Sequence, residues 1–282
     1  MSIRSLSSRT WAVAWSSIVA FIILGFGQGV WGALLLTNLK ATPAIPWAVA
    51  VMSFILWLMW KYLGGAGWPH RTSENRRRYL RANRIPARAW SWAILAGVLS
   101  IVALTGYWIV MFQLVPMPGN VLPDLSRYPL LTVMLKLVMA SLVSPVTEES
   151  AFRGYCQGTL EREFTGSVAV LMSSVLFALA HVTQGFLWPK LSVYFLAGVA
   201  FGTMAYLTNS ILPGLAIHIF ADLTFFALVW PYDTKRQLVW RGGADRWFWL
   251  HTLQAIIFTG LAVIAFSRLA SLRERVLAEK YV

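Results

Sequence analysis

Residues 130–154 read LLTVMLKLVMASLVSPVTEESAFRG, and this stretch decides the fold. From Leu131 to Val146 it is almost wholly apolar, and it is followed at once by Glu148, Glu149 and Arg153. A helix that crosses the hydrocarbon core of a bilayer needs about 20 mostly apolar residues. The stretch therefore predicts a transmembrane helix that carries ionisable groups to a depth where they are costly, which marks them as functional candidates.

The composition of the whole chain agrees with a lipid environment. Only 12% of the 282 residues are charged, where a soluble domain has about 25%. Hydrophobic residues make up 58%, with 15 Trp and 16 Phe, and a compact soluble fold could not bury them all. This apolar content excludes a disordered or collagen-like chain and a nucleic-acid-binding arm. A disulfide scaffold is excluded because Cys156 is the single cysteine.

Eight apolar segments are long enough to be membrane spans, and they predict an all-α polytopic membrane protein whose helices surround a polar intramembrane cavity. They lie near residues 11–38, 44–64, 90–115, 130–158, 166–183, 190–208, 211–230 and 247–268. The sequence shows no repeat and no linker that would separate soluble domains. We therefore expect residues 1–282 to form a single integral membrane domain.

The loop between the second and third spans concentrates positive charge against the single acid Glu74. Its basic residues are Lys61, Arg71, Arg76, Arg77, Arg78, Arg81, Arg84 and Arg88. Because cytoplasmic loops carry an excess of Lys and Arg, we expect this loop and both termini in the cytoplasm, with the loop solvated and facing headgroups. The loop 230–247 falls on the outer face yet carries four basic residues and two acids. We expect an integral protein of a bacterial cytoplasmic membrane.

The polar end of the fourth span contains two acids with different surroundings. Helical spacing puts Glu149 and Arg153 at i and i+4, which favours an ion pair, whereas Glu148 points about 100° away and has no local partner. Glu149 is then neutralised by Arg153, and Glu148 is left free. The alternative interpretation is that Pro145 begins a helix whose first turn holds both glutamates, where the helix dipole favours anions.

Two histidine motifs place further ionisable groups in the spans. Phe177 to His181 reads FALAH and ends the fifth span, and His218 to Asp222 reads HIFAD inside the apolar run 211–230. His218 and Asp222 share one helix face, which indicates that they face a polar cavity. A solitary histidine at a span end, such as His181, is also typical of an interfacial hydrogen-bonding residue.

Together the three groups supply a carboxylate, two imidazoles and a second carboxylate from three helices. Such a set can bind a transition metal, activate water for hydrolysis or relay protons. The HExxH zinc signature, the GxSxG elbow and an intramembrane pair of aspartates are absent from the sequence. Among the familiar protease mechanisms, only a glutamate-dependent or metal-assisted one remains. A transporter with a proton or cation path is the rival from another functional class.

These motifs resemble those of the CPBP family of intramembrane proteases, the CAAX prenyl-protease and bacteriocin-processing group that is also called the ABI family. The family pattern is EExxxR, then FxxxH, then HxxxN or HxxxD, on successive core helices. It stands here as Glu148-Glu149 with Arg153, Phe177 with His181, and His218 with Asp222. The resemblance covers roughly residues 130–225, which would be the catalytic core.

The resemblance implies roles for the first two motifs. Glu148 would be the general base that activates water, assisted by His181. Glu149 and Arg153 would support the site by holding the helix in register, together with Phe177. The activity implied is that of a glutamate-dependent intramembrane protease, with metal assistance left open.

The resemblance also implies a role for the third motif, in which this chain departs from part of the family. His218 and Asp222 would line the other side of the cavity, where asparagine-bearing members stabilise the oxyanion. An ionised aspartate cannot donate a hydrogen bond to an oxyanion, so Asp222 must be protonated, orient His218 or help bind a metal. Zinc is left open as a cofactor. Its candidate ligands are Glu148, His181, His218 and Asp222.

The partner implied by the resemblance is a membrane-embedded or lipidated peptide or protein, and no nucleic acid. Hydrolysis inside a bilayer needs an enclosed water-filled cavity and a lateral gate between helices. We expect the cavity to be reached from the cytoplasmic side. Because some family members have no demonstrated protease function, the alternative is a catalytically silent scaffold or a bacteriocin-immunity protein. The sequence does not indicate an oligomeric state.

Overall fold

The computed structural model describes residues 3–117 and 127–279, and this part of the chain is almost entirely helical, without a β-strand. The helices are α1 (Ile3–Ala41), α2 (Trp47–Leu63), α3 (Ser73–Leu80), α4 (Ala87–Leu114), α5 (Leu130–Glu148), α6 (Gln157–Leu160), α7 (Gly166–Ala180), α8 (Trp188–Thr208), α9 (Leu212–Thr224), α10 (Val239–Gly242) and α11 (Arg246–Glu279). A π-helical segment, Glu149–Cys156, joins α5 to α6, and a second one, Phe225–Val229, follows α9.

Seven helical stretches among the described residues are long and apolar enough to cross a membrane. They are Ser7–Ala41, Ala87–Leu114, Leu130–Leu160, Gly166–Thr183, Trp188–Thr208, Leu212–Asp233 and Arg246–Arg273. The all-α polytopic architecture is thus confirmed. The remaining predicted span is the helix α2, whose 17 residues fall at the lower limit of about 17–25 residues for crossing the hydrocarbon core.

The helices bury both apolar and polar side chains between them and turn large apolar side chains outward. α1 and α5 approach closely at Gly27, where an added Cβ would collide with the side chain of Thr147. On the outward faces, Ile256 is 66% exposed and Trp11 is 65% exposed. Apolar surface of this extent is suited to lipid and not to water.

The basic loop differs from its predicted solvated form at two positions. Arg76 is buried and donates hydrogen bonds to the carbonyl groups of Tyr62, Ala66 and Gly67 at 2.8–3.0 Å. Arg81 is also buried. For these two arginines the prediction is wrong, because a guanidinium group has five donors that can satisfy otherwise unpaired carbonyl oxygens at a tight turn.

Arg81 connects the loop to three helices at one end of the bundle. Its Nη1 donates to Glu161 Oε1 at 3.1 Å, its Nη2 donates to the carbonyl of Ala205 at 2.8 Å, and its own carbonyl accepts from the Ile211 N–H at 3.1 Å. Arg273, near the end of α11, lies over the ring of Tyr206 at 3.9 Å from the ring centroid. We call this end of the bundle the arginine face.

The other end of the bundle, which we call the opposite face, carries the turns that follow α1, α7 and α9. Thr132 at the start of α5 donates from Oγ1 to the carbonyl of Ala44 at 3.0 Å. Trp108 in the second half of α4 donates from Nε1 to both carboxylate oxygens of Asp233, at 3.2 and 3.1 Å. These contacts show in which direction the helices run, so the ends of a span can be assigned to the arginine face or to the opposite face.

Candidate active site

The three sequence motifs meet at one cavity inside the helix bundle, with a volume of about 940 Å³. Glu148, His181, His218 and Asp222 all line it. Its walls come from α1, α4, α5, α7, α8 and the segment from α9 to Trp230, and they are rich in aromatic side chains. The aromatic lining residues are Phe21, Trp31, Trp108, Phe177, Tyr194, Phe201, Phe225, Phe226 and Trp230. The cavity therefore combines four ionisable groups with a largely apolar wall.

Glu148 is the last residue of α5, and its carboxylate lies between two imidazoles. Oε1 lies 3.9 Å from His181 Nε2, and Oε2 lies 3.6 Å from His218 Nε2. The hydroxyl of Ser144 donates to Oε1 at 2.7 Å. The prediction that Glu148 has no local partner is thus wrong, since Ser144 stands one helical turn before it. The carboxylate is held from its own helix and faces groups from two others.

His181 follows directly on α7 and is fixed in one ring orientation. Its Nδ1 lies 2.8 Å from the carbonyl oxygen of Phe177, and because a carbonyl can only accept, we assign the hydrogen to Nδ1. Nε2 is then the ring atom that faces Glu148. The ring stacks on Tyr194 with centroids 3.9 Å apart and planes 23° apart, and Phe177 approaches it edge-on at 4.7 Å.

His218 contacts both members of the acid pair, a contact that sequence reasoning missed. Its Nδ1 lies 2.9 Å from Glu149 Oε1 and donates to that carboxylate. Its Nε2 faces Glu148 Oε2 at 3.6 Å and Asp222 Oδ1 at 3.7 Å. Phe201 stacks on the ring with centroids 4.7 Å apart. His218 thus donates to Glu149 and turns its second nitrogen toward Glu148 and Asp222.

The predicted contact between Glu149 and Arg153 is present in the structure. Nη1 of Arg153 lies 3.4 Å from Glu149 Oε1, and the two side chains are 1% and 0% exposed. The guanidinium group lies over the ring of Phe177 at 4.1 Å and near that of Phe201 at 5.4 Å. Phe177 thus packs against both Arg153 and His181, which fits a supporting position. Cation–π contacts of this kind are strengthened by the absence of water.

The alternative in which Pro145 begins a helix is wrong, because Pro145 lies inside α5. The chain continues from α5 into the π-helix Glu149–Cys156. Single π-helical turns are rare and occur often at functional sites. Here the wider turn starts at the second glutamate, so both acids of the pair reach the same histidine.

The candidate zinc ligands are not grouped as a preformed metal site in the described residues. In the part of the chain that the structure describes, no three His, Cys, Asp or Glu side chains are placed to hold one metal ion. Nδ1 of His218 is held by Glu149 and Nδ1 of His181 by a carbonyl oxygen, which leaves Nε2 of each ring as the atom that a metal ion would take. Zinc binding by Glu148, His181, His218 and Asp222 therefore stays a prediction, and we derive no catalytic step through a metal ion.

Comparison with known proteins finds a match for the segment that carries the three motifs. Residues 130–224 match the family model described as type II CAAX prenyl endopeptidase Rce1-like. No curated protein and no solved structure matches the chain. The matched segment runs from the start of α5 to the end of α9 and contains all three motifs. The chain therefore carries, over this segment, the Rce1-like type II CAAX prenyl endopeptidase signature, which confirms its resemblance to the CPBP family.

Proposed function

We propose that this protein is an intramembrane endopeptidase that hydrolyses a peptide bond with a water molecule activated by Glu148. The family match supports a CAAX-protease-like endopeptidase in general terms. The observation that carries the finer proposal is the position of the Glu148 carboxylate, 3.9 Å from His181 Nε2 and 3.6 Å from His218 Nε2 inside one cavity. Distances of this size between polar atoms leave room for one bridging water.

In the proposed reaction Glu148 accepts a proton from that water while the water oxygen attacks the carbonyl carbon of the substrate. The hydrogen bond from Ser144 holds one carboxylate oxygen in place. His181 offers the lone pair of Nε2 to the same water and shares the proton. The tetrahedral intermediate then loses its amine, because the C–N bond breaks as Glu148 returns the proton to the nitrogen. General acid–base catalysis by a positioned carboxyl group typically contributes about 10²–10⁴-fold in rate.

The oxyanion of the intermediate needs a hydrogen-bond donor close to the attacked carbonyl group. His218 and Asp222 are the candidates, with Nε2 and Oδ1 3.7 Å apart and Nε2 also 3.6 Å from Glu148 Oε2. We favour the protonated carboxyl group of Asp222 as the donor, in the place of the asparagine amide in other family members. A donor fixed before the reaction stabilises developing negative charge without reorganisation.

The substrate reaches this site through a lateral opening between helices. We place this opening at Phe21 on α1 and Leu179 on α7, which both line the cavity and are 42% and 52% exposed. Large apolar side chains with this much exposed surface are expected where a cavity opens to the membrane plane. An apolar substrate segment or a lipidated tail fits the aromatic walls of the cavity better than a soluble peptide does.

Comparison of peptide termini in membranes tests the proposal and finds the substrate in the same experiment. Cells expressing the wild-type protein, Glu148→Gln or Glu74→Gln would be compared at equal protein levels. Glu74 is 81% exposed at its side chain and is a matched control for loss of a carboxylate. We expect new termini with wild type and Glu74→Gln and none with Glu148→Gln. Identical termini with and without the protein would favour a catalytically silent scaffold.

A further inference from the structure

The cavity extends from the candidate site in one direction only. On α5 its lining residues are Ala140, Ser144 and Glu148, all at or before the glutamate. In the segment that begins with α9 the lining starts at His218 and continues to Trp230. The start of α5 and the end of this segment both lie at the opposite face. The open space therefore runs from Glu148 toward the opposite face of the bundle.

Toward the arginine face the site is closed by packed side chains. Phe152 and Arg153, which follow the acid pair, are 0% and 1% exposed. His218 stands seven residues after Ile211, which is bonded to the basic loop, so about 10 Å of helix at 1.5 Å per residue separates the site from that loop. Among the described residues, those that follow Glu148 on its own segment and those that precede His218 on α9 do not line the cavity.

The loops at the two faces differ in their excess of Lys and Arg, and this excess determines the orientation of a protein in the membrane. The loop 61–88 has eight basic residues and one acid, and six of these basic residues are exposed, which leaves a strong excess even without the buried Arg76 and Arg81. The loop 230–246 on the opposite face has four basic residues and two acids. A short loop with the larger Lys and Arg excess stays in the cytoplasm. The arginine face is then cytoplasmic.

We propose that the candidate active site opens to the exoplasmic side of the membrane and takes polypeptide segments that have crossed the bilayer or are anchored in its outer leaflet. If the basic loop is cytoplasmic, the cavity cannot open to the cytoplasm, because the loop and the cavity opening lie at opposite ends of the bundle. The excess of Lys and Arg favours a cytoplasmic loop, so we give up the expectation that the cavity is reached from the cytoplasm. A prenylated tail delivered from the cytoplasm would have to cross the membrane to reach Glu148. The inference deepens, and rests on, the proposed endopeptidase function.

Single-cysteine labelling in intact cells tests this orientation. The native Cys156 is buried and would be changed to Ala, and one cysteine would then be introduced as Arg78→Cys on the arginine face, Arg241→Cys on the opposite face, or Thr105→Cys in the cavity wall. Each variant would be treated with a membrane-impermeant maleimide before and after permeabilisation. We expect labelling of Arg241→Cys and Thr105→Cys in intact cells, and loss of labelling of Arg78→Cys until the membrane is opened.

Two results would overturn the proposal. The first is labelling of Arg78→Cys in intact cells while Arg241→Cys is protected. The second is failure of Thr105→Cys to label from outside when Arg241→Cys does. Labelling needs no turnover, so the same cysteines combined with Glu148→Gln should give the same pattern. If Arg241→Cys and Thr105→Cys label in intact cells but no new peptide termini appear, the orientation stands and the proposed protease function is refuted. If new termini appear but the cysteines label in the opposite pattern, the protease function stands and the orientation is refuted.

Discussion

The Nδ1 atom of His218 lies 2.9 Å from Oε1 of Glu149, a carboxylate 69 positions earlier in the chain. The same ring turns Nε2 toward Glu148 at 3.6 Å. One imidazole thus joins two consecutive glutamates, and the second glutamate also contacts Arg153 at 3.4 Å. Glu149 therefore contacts both His218 and Arg153. Through His218 it connects the segment that follows α5 to the middle of α9.

Substitution of Arg153 by Leu is expected to impair folding more than chemistry. The change leaves Glu149 buried without its cation, and breaking a buried ion pair by removing one partner costs about 3–5 kcal/mol. The measurement is the yield of folded protein in detergent together with its thermal unfolding midpoint. If Arg153→Leu folded normally and lost all activity, Arg153 would have to be moved into the catalytic set.

Ser144→Ala is expected to slow cleavage without weakening substrate binding. The hydroxyl donates to Glu148 at 2.7 Å, and a hydrogen bond to a charged group contributes about 1.5–3 kcal/mol. At about 1.4 kcal/mol for each tenfold step, kcat should fall roughly 10- to 100-fold with KM nearly unchanged. The measurement is steady-state kinetics on a substrate found by terminal profiling.

Ser141→Ala provides the matched control for this prediction. Ser141 also lies buried on α5, but its hydroxyl has no hydrogen-bond partner among the described residues. Its removal should leave kcat close to wild type. Equal losses in Ser141→Ala and Ser144→Ala would show that the helix, and not the hydrogen bond to Glu148, is sensitive to the change. Ser144→Thr, which keeps the hydroxyl, should restore part of the rate.

Much of the candidate site could be predicted from local spacing. The spacing of each motif is short, so it places Glu149 with Arg153 and His218 with Asp222 on shared helix faces whatever the tertiary fold. The apolar runs around the motifs predicted the spans, because hydropathy over about 20 residues depends little on packing. The structure brings the four ionisable groups to one cavity, while their catalytic roles stay predictions.

The remaining features depend on contacts between distant segments. The bond from His218 to Glu149, the stacking of Tyr194 on His181 and the burial of Arg76 each need a partner that spacing along one helix does not reveal. The π-helix after α5 is a rare element that the spacing of the motifs does not indicate. The direction of the cavity likewise follows from how α5 and α9 run relative to each other, which the motifs do not specify.

Asp222→Asn distinguishes a donor role of this residue from a metal-binding role. If Asp222 works as a protonated donor, the amide keeps a donor in place, so activity should be preserved and the high-pH side of the rate profile should broaden, because asparagine does not ionise. If it binds or supports a metal, the amide is the poorer partner and metal retention should fall. The measurements are metal content and turnover across pH. Loss of both bound zinc and activity would replace the donor role with a metalloprotease.

The most direct test of the central claim is the origin of the oxygen in the new peptide carboxylates. Membranes containing wild-type protein or Glu148→Gln would be incubated in ¹⁸O-labelled water, and the new C-termini would be measured by mass spectrometry. Activation of water by Glu148 predicts new C-termini that carry ¹⁸O in wild-type membranes, and a rate lower by about 10²–10⁴-fold in Glu148→Gln. The same labelled termini at the wild-type rate in Glu148→Gln would contradict the account.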